Sequence, residues 1–174
     1  MVRLIMPTIQ HKTEIREFID EGRRYNVSFN GTSRVEELTF NEWLNKVTRH
    51  HLGVDLDPGY VPASTFLVYH DEKLVGFVNI RHTLNAYLKE IGGHIGYMIR
   101  PTEQRKGYGK ALLKEALKYT FDDLKLTEVF VSCDASNIAS KRTILANNGV
   151  LYHVTKENDE DVFMYVIQRT CYDD

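Results

Sequence analysis

Nowhere in this 174-residue sequence does an apolar run approach the roughly 20 residues a bilayer span needs, so no membrane-crossing helix is expected. The opening Met1 to Met6 is short and is followed at once by Pro7, which does not suit a secretory signal. Cysteine is scarce. Cys133 and Cys171 stand far apart with no CxxC pair, so neither a disulfide framework nor a zinc knuckle is expected, and reduced thiols in a cytoplasmic protein are the natural reading. A basic excess is also missing: the formal net charge is -2, and no aromatic-basic interleaving is visible, which argues against a nucleic-acid partner. The seven histidines are scattered, and the His50-His51 pair carries no carboxylate-histidine constellation in its vicinity, so no metal is expected. Repeats, low-complexity tracts and linker-like segments are absent too. The length suits one domain spanning residues 1–174 around a single core.

What is present reads as alternating strands and helices. Val2 to Met6 is strand-like, and Ile15, Phe18 and Ile19 recur at helical spacing within residues 8–24. Thr39-Phe40-Asn41-Glu42 is a capping box, opening a helix that buries Phe40, Trp43, Leu44 and Val47. Thr65 to Tyr69 and Leu74 to Arg81 suit a hairpin about the polar turn His70 to Lys73. A strand over residues 94–100 stops at Pro101, and Leu112, Leu113, Ala116, Leu117 and Phe121 mark a strong amphipathic helix. Val129 to Cys133 is a short buried strand. Ala139 to Asn148 is helical, with Gly149 as its expected C-cap, and Leu151 to Thr155 and Val162 to Gln168 are closing strands. The expectation is an α/β fold, a mixed central sheet of about seven strands with about four helices.

The segment with chemical content is Gln104-Arg105-Lys106-Gly107-Tyr108-Gly109, between a strand and a helix start. Gly107 and Gly109 let backbone amides approach a ligand, and a helix N-terminus offers unpaired N–H groups and a favourable dipole for phosphate. Arg105 and Lys106 add local positive charge. A plain glycine turn with two solvated cations is the competing interpretation; the strand-turn-helix context favours an anion. The GK[ST] of a phosphate-binding P-loop does not fit here, and neither does G-x-G-x-x-G, because position 112 is Leu.

These six residues resemble the pyrophosphate-binding signature of the GNAT N-acetyltransferase superfamily, and the element order is similar to that fold over essentially the whole chain. Asn137-Ile138-Ala139-Ser140 opens a helix as the family's pantetheine-contacting segment does. Gly92-Gly93-His94-Ile95-Gly96-Tyr97 with Ile99-Arg100-Pro101 looks like a group of bacterial acetyltransferases within the superfamily. The resemblance implies acetyl-coenzyme A as co-substrate and a GNAT-like single domain. Pantetheine would then pair with Tyr97, Met98 and Ile99, and the Tyr97 N–H would donate to the thioester oxygen. Amides of Arg105, Lys106, Gly107, Tyr108, Gly109 and Lys110 would hold the pyrophosphate, with Gln104, the first residue of the signature, also binding the cofactor. Asn137 and Ser140 would bond the pantetheine arm, although both also suit helix N-capping.

The proton-handling positions depart from that pattern. The usual place of the catalytic glutamate holds Gly93, with Glu90 three residues upstream as a displaced candidate base. A tyrosine that protonates the leaving thiolate in such enzymes would fall at Ile144 or Leu145, with Tyr152 or Cys133 as substitutes. His82, beside Arg81 and Asn85, is a second candidate base, and Tyr60 with Val61 to Ala63 is placed to line an acceptor pocket. The function implied is transfer of an acetyl group to a primary amine of a small molecule or peptide. A coenzyme A-binding sensor or partner-binding module with weakened catalysis is the alternative. A homodimer is compatible with either.

Overall fold

The computed structural model describes residues 1–171, Cys171 by its backbone alone, so the expectation of a free thiol at Cys171 lies outside the described residues. The chain runs β1 (Val2–Ile5), α1 (Lys12–Arg24), α2 (Phe40–Leu52), β2 (Ala63–His70), β3 (Lys73–Arg81), β4 (Ile95–Ile99), α3 (Tyr108–Lys118), β5 (Glu128–Asp134), α4 (Ile138–Leu145), β6 (Val150–Glu157) and β7 (Glu160–Gln168). Two π-helical turns, Leu88–Gly92 and Tyr119–Asp123, join this α/β framework and have no signature in the sequence periodicity. Among the described residues no helix is long and apolar enough to cross a membrane.

The strands form two sheets, β1-β2-β3-β4 and β5-β7-β6, and every pairing within them is antiparallel. The seven strands expected from the sequence are present, divided between β4 and β5, and the pairings are antiparallel where a mixed sheet was expected. Contact there narrows to a bridge between Gly93 and Val131 and a 2.7 Å hydrogen bond from the His94 N–H to the Phe130 carbonyl. Beyond that closure β4 keeps an unpaired edge.

β2 is buried along nearly its whole length because helices cover both faces. Phe66 and Val68 pack with Leu112, Leu113 and Leu117 of α3, while Leu67 and Tyr69 meet Ile15 and Phe18 of α1 and Trp43 and Val47 of α2. The capping box forms as read: the Thr39 side chain accepts from the Glu42 N–H, and Glu42 accepts from the Thr39 N–H at 2.9 Å. One expected detail changes. The left-handed residue after α4 is Asn148 at φ 64, and Gly149 is required for another reason: a Cβ there would lie 2.4 Å from Ile144 Cγ2.

His94 holds the two sheets together at their junction. Its buried ring stacks on Phe130, and its Nδ1 accepts from the Phe130 N–H at 3.0 Å, which requires the neutral imidazole. Burial, and then the nearby Arg81 charge, push it down to about 4. An unfolded histidine binds its proton near 6.5, so the unfolded chain takes up more protons between these values. Stability contributed by neutral His94 is thus complete above pH 6.5 and is lost as pH falls toward 4. A loss of up to about 3 kcal/mol over that range is expected from urea unfolding, and His94→Phe should flatten this slope.

Candidate active site

The exposed edge of β4 is polarised by its pairing with β3. The Arg100 N–H donates to the Val75 carbonyl at 2.8 Å, and backbone groups alternate along an antiparallel strand. Met98 therefore turns its backbone N–H and carbonyl to β3, while Tyr97 and Ile99 present theirs to the gap between the sheets. The Ile99 carbonyl is met there by the Gln104 side chain at 3.3 Å.

Pro101 ends the strand, and the segment that follows folds into a concave turn. Arg105 at φ 62 and Gly107 at φ 83 both take left-handed conformations, which aim successive amides at a common point. α3 starts directly after Gly107, and no side chain caps it, in contrast to α2 and α4, which Thr39 and Asn137 cap. The N–H groups of its first turn are thus available to a ligand. Around Gly107 a Cβ would meet nothing within 4 Å, whereas at Gly109 it would stand 3.4 Å from Thr143 Oγ1, an ordinary contact. Lys106 is committed to Glu103 at 3.0 Å, and Lys73 joins the same carboxylate; these partners hold Glu103 ionised below its usual range despite burial. Positive charge in the cleft comes instead from Arg105, Lys110 and Arg142, none of which forms an ion pair among the described residues. Arg142 of α4 carried no sequence signal.

β4, the turn, the start of α3 and the start of α4 enclose a cleft of about 760 Å³. Asn137 caps α4 by accepting from the Ser140 N–H at 3.1 Å, which leaves its amide NH₂ free of that bond. Ser140 Oγ lies 2.9 Å from the Tyr97 hydroxyl, whose phenol burial pushes up to about 12.

A second cavity of about 390 Å³ adjoins the cleft, with Asn30 on the wall of both. The loop carrying Asn30 is drawn against β4 at Gly31, where a Cβ would sit 2.2 Å from the Gly96 carbonyl oxygen. It is pinned by Trp43 Nε1 donating to the Thr32 carbonyl at 2.7 Å and by Ser33 Oγ at 2.8 Å from Thr65 Oγ1. Tyr60, Val61, Ala63, Arg81 and Asn85 stand on this cavity's wall. So does His50, which the sequence left without a partner. Its Nε2 lies 3.2 Å from Asp57 Oδ2, seven residues on in the loop after α2, and burial lowers its pKa against the raising effect of Asp57. A carboxylate seven residues after the histidine, ahead of Pro58-Gly59, was the available signal. Among the described residues no group of three or more His, Cys, Asp or Glu side chains is arranged to hold a metal.

Glu90 and His82 are not brought to either cavity. Glu90 is mostly exposed and faces His153 of β6 at 4.0 Å. His82 Nε2 lies 2.8 Å from the fully buried Ser64 hydroxyl, which also touches His51 and Tyr119, a packing arrangement at the edge of β2. Gly93 cannot carry a glutamate here: its φ is +65, and a Cβ would lie 2.7 Å from the Phe130 carbonyl. Ile144 is buried, Leu145 and Tyr152 are exposed, and the buried Cys133 thiol is pushed up by burial.

A strand edge bared by a sheet split, then an amide-lined turn and an uncapped helix, is an arrangement that can take an extended ligand ending in phosphate. The chain belongs to the acetyltransferase (GNAT) family, whose model matches residues 32–148. That family uses acetyl-CoA as acyl donor. Among solved structures the fold is similar to RimL, a ribosomal L7/L12 α-N-protein acetyltransferase in complex with coenzyme A, at TM-score 0.69 and 15% identity over 96% of this chain and 93% of that one. It is also similar to a spermidine N-acetyltransferase SpeG mutant from Vibrio cholerae, at TM-score 0.65 and 20% identity over 99% and 96% of the chains. A probable acetyltransferase superimposes at TM-score 0.72 with 15% identity over 97% and 93%. No curated protein sequence matches the chain.

Proposed function

We propose that the protein transfers the acetyl group of acetyl-CoA directly to a primary amine that enters the smaller cavity. The observation that carries this reading is the junction of the two cavities at Asn30, which sets an amine-sized space beside the open edge of β4. The backbone amides of residues 105–110 would hold the pyrophosphate, with Arg105, Lys110 and Arg142 supplying charge. Pantetheine would run along the Tyr97 and Ile99 edge toward Asn137 and Ser140.

Bound there, acetyl-CoA supplies the thioester carbonyl as electrophile. The Tyr97 N–H points at the side of β4 on which negative charge develops on the thioester oxygen as the amine attacks. His50, kept neutral by burial and oriented by Asp57, takes the proton of the attacking amine at Nδ1, directly or through water. The Tyr97 hydroxyl, protonated at neutral pH and facing α4, supplies a proton to the departing thiolate. It would serve where the family's tyrosine position is filled by Ile144 or Leu145, neither of which can donate a proton. Tyr97→Phe should lower kcat by roughly ten-fold, because coenzyme A thiolate is a fair leaving group, and should leave the KM for acetyl-CoA nearly unchanged. Release of free thiol from acetyl-CoA across a panel of primary amines tests the reading as a whole. Turnover with at least one amine supports it, and binding without turnover across the panel favours a coenzyme A-binding sensor.

A further inference from the structure

The smaller cavity has a charge of one sign. Arg34, Lys46 and Arg81 line it, with no aspartate or glutamate among its lining residues. Two carboxylates that bond to residues of its wall are already engaged: Glu37 holds Arg34, and Asp57 faces His50 and Arg49. Arg34 is thereby neutralised at the rim.

Lys46 and Arg81 are not. Lys46 is only 7% exposed, and its ammonium stands 4.8 Å from the Tyr60 ring centre with no hydrogen-bond acceptor and no ion pair among the described residues. Among the described residues no side-chain nitrogen or oxygen is sealed away without a partner, so this ammonium opens onto the cavity. Arg81 spends one terminal nitrogen on the Gly92 and Gly93 carbonyls, at 3.1 and 3.0 Å, and meets no carboxylate among the described residues. Among the described residues Glu37, bonded to Arg34, is the one carboxylate whose charge Lys46 feels, so three cations around one small cavity share it and keep a positive excess, an arrangement completed by an anion.

Resting on the reading of this cavity as the acceptor site, we propose that the acceptor is a small amine that also carries a carboxylate, held by Lys46 and Arg81. An amino-acid-like molecule fits a space of about 390 Å³. A polyamine does not suit it, since its second and third ammonium groups would meet cations and no carboxylate. The acceptor named for the spermidine N-acetyltransferases of similar fold therefore does not transfer to this chain.

Amino acids compared with their decarboxylated amines isolate the carboxylate: phenylalanine against phenethylamine, tyrosine against tyramine, lysine against cadaverine, with spermidine as the opposite extreme. Thiol release should show kcat/KM roughly ten-fold or more higher for the acid of at least one pair. Lys46→Met, close in shape and uncharged, should bring that ratio near one by raising the KM for the acid roughly ten-fold more than that for the amine. Equal or reversed preference, or a preference that survives Lys46→Met, overturns the proposal. A parallel arm measures the binding of the same acids and amines to the coenzyme A-loaded protein by calorimetry. Acids that bind without turnover would leave the anion site standing and refute transfer; amines that bind as well as the acids would refute the anion site itself.

Discussion

Gly107→Val is expected to abolish acetyl-CoA binding in a chain that still folds. The site depends on φ +83 at Gly107, the N-cap of α3. A β-branched residue held there costs about 1–2 kcal/mol and would relax toward a right-handed conformation, turning the amides of residues 107–109 away from their common focus. Its side chain would project into the open space that the glycine leaves, where nothing lies within 4 Å and where a pyrophosphate would lie. The loss in unfolding free energy should stay within that strain, because Gly107 is exposed and contributes nothing to the core, and a domain of this size has a stability of about 5–15 kcal/mol. Calorimetric titration should therefore show binding weakened by about a hundred-fold or more beside a nearly unchanged unfolding curve. Gly109→Ala separates this effect from glycine loss in general: its Cβ finds ordinary contact with Thr143, so binding should change little.

His50→Ala should lower kcat by about 10²–10⁴, the range typical of removing a positioned general base, with acetyl-CoA affinity preserved. The affinity is preserved because His50 stands in the smaller cavity and contributes nothing to the cleft along β4. Asp57→Asn should cost less, since it removes only the group that orients the ring at 3.2 Å. The pH profile carries an independent signature. Burial lowers the His50 pKa from the ordinary 6.5, Asp57 opposing it, and the competent form is the neutral one. The acid limb of kcat in the wild-type enzyme therefore lies below pH 6.5, and Asp57→Asn, which removes the raising influence, moves it further down. An acid limb above the ordinary histidine value would show that another group takes the proton.

The donor half of the site was legible because its determinants are local. A strand stop at Pro101, two glycines and the start of an apolar helix are neighbours in sequence, and they fold next to one another. The signature's charges were read less well. Lys106 looked available, but a carboxylate three residues earlier claims it, while Arg142 reaches the cleft only through the packing of α4. The acceptor half is built from segments remote in sequence: the loop at Asn30, α2, the loop at Asp57 and the end of β3. Its base was therefore sought at Glu90 and His82, by counting along the chain from a motif. Geometry sends one of these to solvent beside His153 and the other under Ser64. The family's vacant glutamate position had a cause that no pattern could display, the approach of Gly93 to the Phe130 carbonyl where the sheets close.

The central claim, that the cleft between β4 and α3 binds acetyl-CoA, is tested most directly by titrating acetyl-CoA against the thermal unfolding midpoint of the full chain. A ligand bound by the folded state alone stabilises it by about 2.7 kcal/mol at a hundred times its Kd, which for a domain of this length is roughly 5–10 °C. The midpoint should climb steadily with the logarithm of concentration in the wild-type protein, and in Gly107→Val begin to climb only at concentrations about a hundred-fold higher or more. A wild-type midpoint that does not move up to millimolar acetyl-CoA would contradict the account.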